Sequence, residues 1–281
     1  MGRYVKYVLA ITFFCIATSV LANGLYDLKP VPSKTYFAGP YLGIGIGAID
    51  SHANITSDNS NDYTEIQFPN PFKYSFTAAH GFDVGKYGFD GNIFAGYGIV
   101  LNQSIRLFYF DYLGIELFGH YFRPSLKGYS HQTGSVTSQE QFNFLTNLTT
   151  KVENPFSFGG DIRIGYLASP RFMIYILFGL DYAQFKVKSK SAISLTNAPD
   201  EIITDSFNKW KLGYMPGIGI ETGLSDHVSL RVQYTYTFYP SFNHTATSSD
   251  TVLNWIYNGS LKTKVIPHRN LLTVMLSYFF N

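Results

Sequence analysis

The chain has 281 residues and is 46% hydrophobic and 17% aromatic, yet only 14% charged, where an average soluble domain carries about 25% charged residues. Its 25 Phe and 22 Tyr exclude a disordered or low-complexity chain, and past the amino terminus no apolar run is long enough for a membrane-spanning helix. Setting aside Arg3 and Lys6, which fall in the leader described next, leaves 19 basic against 19 acidic residues, a balance that gives no reason to expect nucleic acid as a partner.

Residues 1–22 carry Arg3 and Lys6, an apolar stretch from Tyr7 to Leu21 and a small-residue end, Val20-Leu21-Ala22. That order predicts a secretory signal peptide cleaved after Ala22. The sole cysteine, Cys15, lies in its middle behind Phe14, so a lipid anchor is not expected there. Without cysteine, a mature chain starting at residue 23 has no disulfides, thiolate metal sites or thiol nucleophiles.

Beyond the leader the apolar period is two. Leu42, Ile44, Ile46 and Ala48 alternate with glycines, and Ile93, Ala95, Tyr97 and Ile99 alternate with Asn92, Phe94, Gly96 and Gly98. Leu113, Ile115 and Leu117 flank Gly114 and Glu116, and Ile162, Ile164 and Tyr166 flank Arg163 and Gly165. The same pattern marks Ile174–Leu180, Ile218–Ile220, Val228–Phe238 and Leu272–Phe280. These are eight predicted strands, each with one apolar face and one small or polar face. The links alternate in length. Asp50–Lys86, Arg123–Pro155, Ser189–Lys211 and Pro240–Pro267 are long and polar, whereas Ala168–Pro170 and Ser225–His227 are short. The link around Asn102–Asp111 is read as a longer turn.

A soluble barrel hides its apolar face, and a membrane barrel turns it outward to lipid. Export, mid-strand charges on the glycine-rich face, alternating link lengths and aromatics near strand ends favour the second. The aromatics are Phe122, Trp210, Tyr214 and Tyr239 at one rim, and Tyr112, Tyr166, Phe172 and Tyr278 at the other. The predicted fold is all-β, an eight-stranded antiparallel up-and-down transmembrane β-barrel, closed because hydrocarbon tolerates no unpaired strand edge. The runs Gly43–Gly47 and Gly217–Ile220 do not complete a dinucleotide fingerprint and open no helix.

The chain resembles the OmpA-type and opacity-type outer-membrane barrels of Gram-negative bacteria. The stretches that carry the resemblance are Tyr36-Phe37-Ala38-Gly39-Pro40-Tyr41-Leu42-Gly43, Asp111-Tyr112-Leu113-Gly114-Ile115-Glu116-Leu117, Gly219-Ile220-Glu221, Leu230–Tyr236 and Leu276-Ser277-Tyr278-Phe279-Phe280. The resemblance implies a short periplasmic extension at 23–35, a barrel over 36–281, long loops outside the cell and both termini in the periplasm. Outer-membrane lipids would be its solvent, and the barrel-assembly machinery would act on its carboxyl-terminal strand, here ending Phe280-Asn281.

The sharpest candidate site is a set of charges on the lumen face. Glu116, Arg163, Glu221 and Arg231 each lie four or five residues from a short-turn end and are expected to form one layer, with Asp161 and Asp181 nearby. The expectation is a salt-bridged network that closes the lumen, a pattern the family resemblance also implies; the alternative is a narrow pore for small solutes. No enzyme is expected, because His120 and His268 near the outer rim are tied to no nucleophile by any motif. No metal or cofactor is expected either, since His52, His80, His131 and His244 lack ligand spacing. The long loops are read as exposing Tyr63, Phe68, Phe72, Tyr74, Phe142, Phe144, Trp255 and Tyr257, available to host-surface or envelope ligands.

Overall fold

A computed structural model of the chain describes residues 36–66, 72–101, 110–122, 125–137, 141–195, 200–252 and 255–280. The expected signal peptide, the 23–35 extension and most of the turn at 102–111 lie outside these residues. The described chain is all-β and has eleven strands where the sequence pattern predicts eight: β1 Gly39–Glu65, β2 Phe72–Val100, β3 Tyr112–Phe122, β4 Ser125–Thr137, β5 Gln141–Glu153, β6 Phe156–Ser169, β7 Phe172–Leu195, β8 Glu201–Gly223, β9 Val228–Phe238, β10 Phe242–Val252 and β11 Trp255–Phe279.

All pairings are antiparallel, and eight strands are joined in a circuit, β1–β2–β3–β6–β7–β8–β9–β11 and back to β1. The other three prolong this circuit at one end. β4 and β5 form a hairpin whose second strand pairs with Lys186–Leu195 of β7, while β10 pairs with Trp255–Val265 of β11. Pro155 stands between β5 and β6, and Pro240 between β9 and β10. A proline cannot donate to the ladder, so the strand breaks there and resumes. The end bearing the turns at 170–171 and 224–227 is the turn end; the opposite end is the distal end.

The segments expected as long loops are therefore largely paired strand. Their outward and inward positions keep the phase of the strands they continue, but the polarity of the two faces reverses. On β1 the outward residues Leu42, Ile44 and Ile46 are 49%, 64% and 73% exposed. Past Ile49 the outward residues are His52, Asn54, Thr56 and Asp58, and Ala53 and Ile55 are buried inside. On β7 the outward series Ile174, Ile176, Phe178, Leu180 and Tyr182 gives way to Gln184, Lys186, Lys188 and Lys190, over buried Phe185 and Val187. The turn-end half thus presents an apolar outer surface around a partly polar interior. The distal half has the ordinary water-facing arrangement, with Ile55, Leu126, Val152, Phe185, Val187 and Val265 packed within.

Exposed aromatics gather where the polarity changes. Phe156, Phe158, Tyr182 and Trp210 form one contiguous cluster, with ring centroids 5.0 Å apart for Tyr182–Trp210 and 5.5 Å for Phe158–Tyr182. Tyr87, Phe89, Tyr121, Tyr214, Tyr236 and Phe238 are also exposed. Of the aromatics expected at the rims, Trp210, Tyr214, Tyr166 and Tyr278 face outward, whereas Phe122, Tyr239 and Tyr112 are buried inside. The alternation places those three on the inward face, which proximity to a strand end does not reveal.

Candidate functional site

The alternation that exposes Ile115 and Leu117 turns Glu116 inward, and the same rule buries Arg163, Glu221 and Arg231 on β6, β8 and β9. These four form one connected layer. The Arg163 guanidinium lies 3.4 Å from Glu116 and 3.2 Å from Glu221, and Arg231 donates to Glu116 at 2.8 Å. Ser229 donates to the second Glu221 oxygen at 2.5 Å. Glu221 and Arg231 are register partners on adjacent strands, yet each makes its ion pair with a residue elsewhere in the circuit.

Three tyrosines wrap Arg163. Its guanidinium carbon is 5.0, 5.7 and 5.5 Å from the ring centres of Tyr41, Tyr112 and Tyr175. It donates to the hydroxyls of Tyr41 and Tyr112, and the Tyr41 hydroxyl donates to Glu116 at 3.0 Å. Arg231 is held similarly, 4.2 Å from the centre of the Phe94 ring. These rings need glycine opposite them. Tyr175 pairs with Gly219, where an added Cβ would lie 2.3 Å from the tyrosine oxygen. Glycines on the inward face are thus the space into which the arginine clamp folds.

Asp161 and Asp181, expected near this layer, stand differently toward it. Asp161 is buried beside Glu116 in register, but neither of its carboxylate oxygens has a hydrogen-bond partner among the described residues. Asp181 belongs to a second layer toward the distal end, where Arg269 donates to it at 2.6 Å and the Tyr239 hydroxyl also donates. The Phe122 ring lies 4.3 Å from the Arg269 guanidinium. Close by, His120 is 3.0 Å from Asp90, which also accepts from Asn92 at 3.0 Å. Arg269 and Asp90 escaped the sequence reading because both lie within stretches assigned to links or their margins. Counting by twos from Leu271 through Met275 would have placed Arg269 on the inward face.

His52, His80, His131, His244 and His268 sit in strands rather than loops. His80 is buried between Ser130 at 3.0 Å and Thr146 at 3.1 Å. His52 pairs with Asp50 at 2.8 Å and stacks on His268, His131 bonds Asn147 at 2.7 Å, and His244 approaches Asp205 at 3.4 Å. Among the described residues, no three or more His, Cys, Asp or Glu side chains gather as metal ligands would. Several aromatics expected on loop surfaces are interior instead: Tyr63 and Tyr257 are buried, Phe144 and Trp255 half-buried. Phe68 lies outside the described residues, as do the side chains of Phe72, Tyr74 and Phe142.

An apolar outer band around a charged interior is the inverse of a soluble protein and the arrangement of a barrel in lipid. The family match agrees with this arrangement. The outer membrane protein beta-barrel domain matches residues 8–266. The 31 kDa outer-membrane immunogenic protein of Brucella melitensis is 28% identical over 235 residues, covering 79% of this chain and 81% of that protein. The 22 kDa outer membrane protein of Rhizobium leguminosarum is 28% identical over 163 residues, 57% of each. Among solved structures, OprG of Pseudomonas aeruginosa aligns with 88% of this chain and 99% of its own at 11% identity and a TM-score of 0.38. The Escherichia coli outer membrane protease OmpT aligns with 91% and 99% at 10% identity and a TM-score of 0.35. The chain belongs to the outer membrane protein beta-barrel domain family and is an outer-membrane β-barrel protein.

Proposed function

We propose that this protein is an eight-stranded transmembrane barrel whose lumen is closed by its own charges, and whose distal half stands outside the cell as a surface for adhesion or ligand contact. The observation that carries the reading is the interior layer of Glu116, Arg163, Glu221 and Arg231. Both guanidiniums are fully buried, and the carboxylates are 3% and 1% exposed. Charges so buried, and bonded to each other across the interior, support a plug over a narrow pore for small solutes. The circuit of pairings supports eight spanning strands, with β4, β5 and β10 as continuations beyond the bilayer.

The polar outer surface of the distal half fits water, and the short turns at 170–171 and 224–227 fit the periplasmic side. The leader at 1–22 would export the chain, both termini would lie in the periplasm, and the barrel-assembly machinery would insert it. The role is structural and binding rather than enzymatic. His120 is oriented by Asp90 but faces buried Phe118 and Phe122. His80 contacts Ser130 and Thr146, and among the described residues no carboxylate is bonded to its ring. Neither site provides a complete nucleophile, base and orienting acid.

Orientation is tested by placing a single cysteine at Asp62 or at Ser225, both exposed, and adding a membrane-impermeant maleimide to intact cells. Labelling of Asp62→Cys but not Ser225→Cys is expected. The opposite pattern would invert the topology.

A further inference from the structure

The outward face of the distal half carries an unbalanced bank of lysines. Lys127 on β4, Lys151 on β5 and Lys188 on β7 are successive register partners, so three lysines lie side by side across three strands. Lys186 and Lys190 flank Lys188 on the same face. Like charges directly opposite each other on a sheet are destabilising, yet the bank has little to offset it. Glu153, opposite Lys186, is engaged by Lys151 at 2.5 Å. That hydrogen bond, with Lys188 and Lys186 adding to it, holds the Glu153 carboxyl below its ordinary range. On β8 the next outward residues, Thr204, Ser206 and Asn208, are uncharged, and on β2, beside β4, the exposed Asp83 supplies a single carboxylate against five lysines. Elsewhere the chain balances such positions: exposed Lys262 on β11 has Asp58 directly opposite on β1.

The height of the bank identifies what offsets it. It stands directly above the aromatic cluster of Phe156, Phe158, Tyr182 and Trp210, on the same strands or their continuations. Aromatics of this kind mark the edge of the hydrocarbon. Lys186 and Lys188 lie four and six residues past Tyr182, about 13–20 Å along the strand at ~3.3 Å per residue, and less along the barrel axis because the strands tilt by ~40°. Lysine stems also bend their ammonium groups toward an interface. The bank therefore sits in the headgroup layer, where a multiply charged anion close to the membrane meets several ammonium groups at once.

We propose that Lys127, Lys151 and Lys188 form a binding site for the phosphates of a phosphorylated outer-leaflet glycolipid. The assignment rests on the outward orientation proposed above, which the cysteine labelling tests by itself. The binding experiment is independent of orientation, so the two failures are distinguishable.

The purified full chain in neutral detergent micelles is titrated with bisphosphorylated lipid A and, separately, with lipid A stripped of its phosphates. Saturable binding of the phosphorylated form is expected, weakened at least tenfold in Lys127→Gln/Lys151→Gln/Lys188→Gln and unchanged in Lys262→Gln/Lys264→Gln. Heat-modifiable migration in gels checks that each variant is folded, and Lys188→Glu alone serves if the triple variant is not. Equal binding of the phosphate-free form, or undiminished binding by the lysine variants, would overturn the proposal. Stronger binding of soluble heparin than of lipid A through the same lysines would also overturn it, assigning the bank to a soluble polyanion.

Discussion

Arg231 and Glu116 meet at 2.8 Å although their strands, β9 and β3, stand four places apart in a circuit of eight. The contact therefore crosses the full width of the interior. Cross-strand packing on either wall cannot replace it.

Removing one partner strands the other in a buried site, which costs about 3–5 kcal/mol. Glu116→Ala and Arg231→Ala should each lose stability on that order, and the double variant should lose clearly less than the sum. Urea unfolding in lipid vesicles, followed by the fluorescence of Trp210 and Trp255, measures this. Strict additivity would mean the two residues do not act as a pair.

Asp161 should behave in the opposite way. Two arginines face Glu116 and Glu221 in the layer, and beside it Asp161 is a buried carboxylate with no ion pair and no hydrogen bond to either oxygen among the described residues. Asp161→Asn removes the surplus negative charge without a change of shape, so stability should hold or rise. A loss comparable to that of Glu116→Ala would show that Asp161 carries a share of the network.

Gly219→Val places a Cβ 2.3 Å from the Tyr175 oxygen, with two methyl groups still to accommodate. The ring must swing away and loosen its contact with Arg163 and its 2.8 Å bond to Gln233. A loss of about 1–3 kcal/mol is expected for such overpacking. Pairing the change with Tyr175→Leu should recover part of it, as read by the temperature at which folded gel mobility is lost.

His80 makes the distal half sensitive to acid. Burial, with the neighbouring His131 second, lowers its pKa below the ordinary 6.5. The unfolded chain then takes up a proton more readily than the folded one, so stability rises with pH across that interval. The contribution is fully present above about pH 6.5 and is lost as pH falls toward the folded value. His80→Gln should flatten the urea midpoint over this window; an unchanged slope would place the sensitivity elsewhere.

The membrane-facing halves of the strands were legible because Leu42, Ile44 and Ile46, or Ile174, Ile176 and Phe178, are apolar at every second place with small residues between. Glu116, Arg163, Glu221 and Arg231 followed from the same count. The distal halves were hidden by their own chemistry. In Ala53, Ile55, Ser57 and Asn59 the inward series is itself half polar, and its outward partners Asn54, Thr56 and Asp58 make the stretch look like loop. The period of two persists there, but the apolar contrast fades and changes sides. Layer membership was also out of reach for Asp181. It lies ten residues past Arg171, where the four charges of the first layer lie four or five from a turn end, but nothing local ties it to its partner Arg269, 88 residues away in sequence.

The interior charges are proposed to close the lumen. Single-channel recording of the chain refolded into a planar bilayer, beside Arg231→Ala and Glu116→Ala, tests this most directly. A silent wild type and measurable conductance in the variants are predicted, because each substitution opens space and releases a partner in the layer that spans the interior. Steady conductance in the wild type, unchanged by either substitution, would contradict the plug and make the barrel a pore.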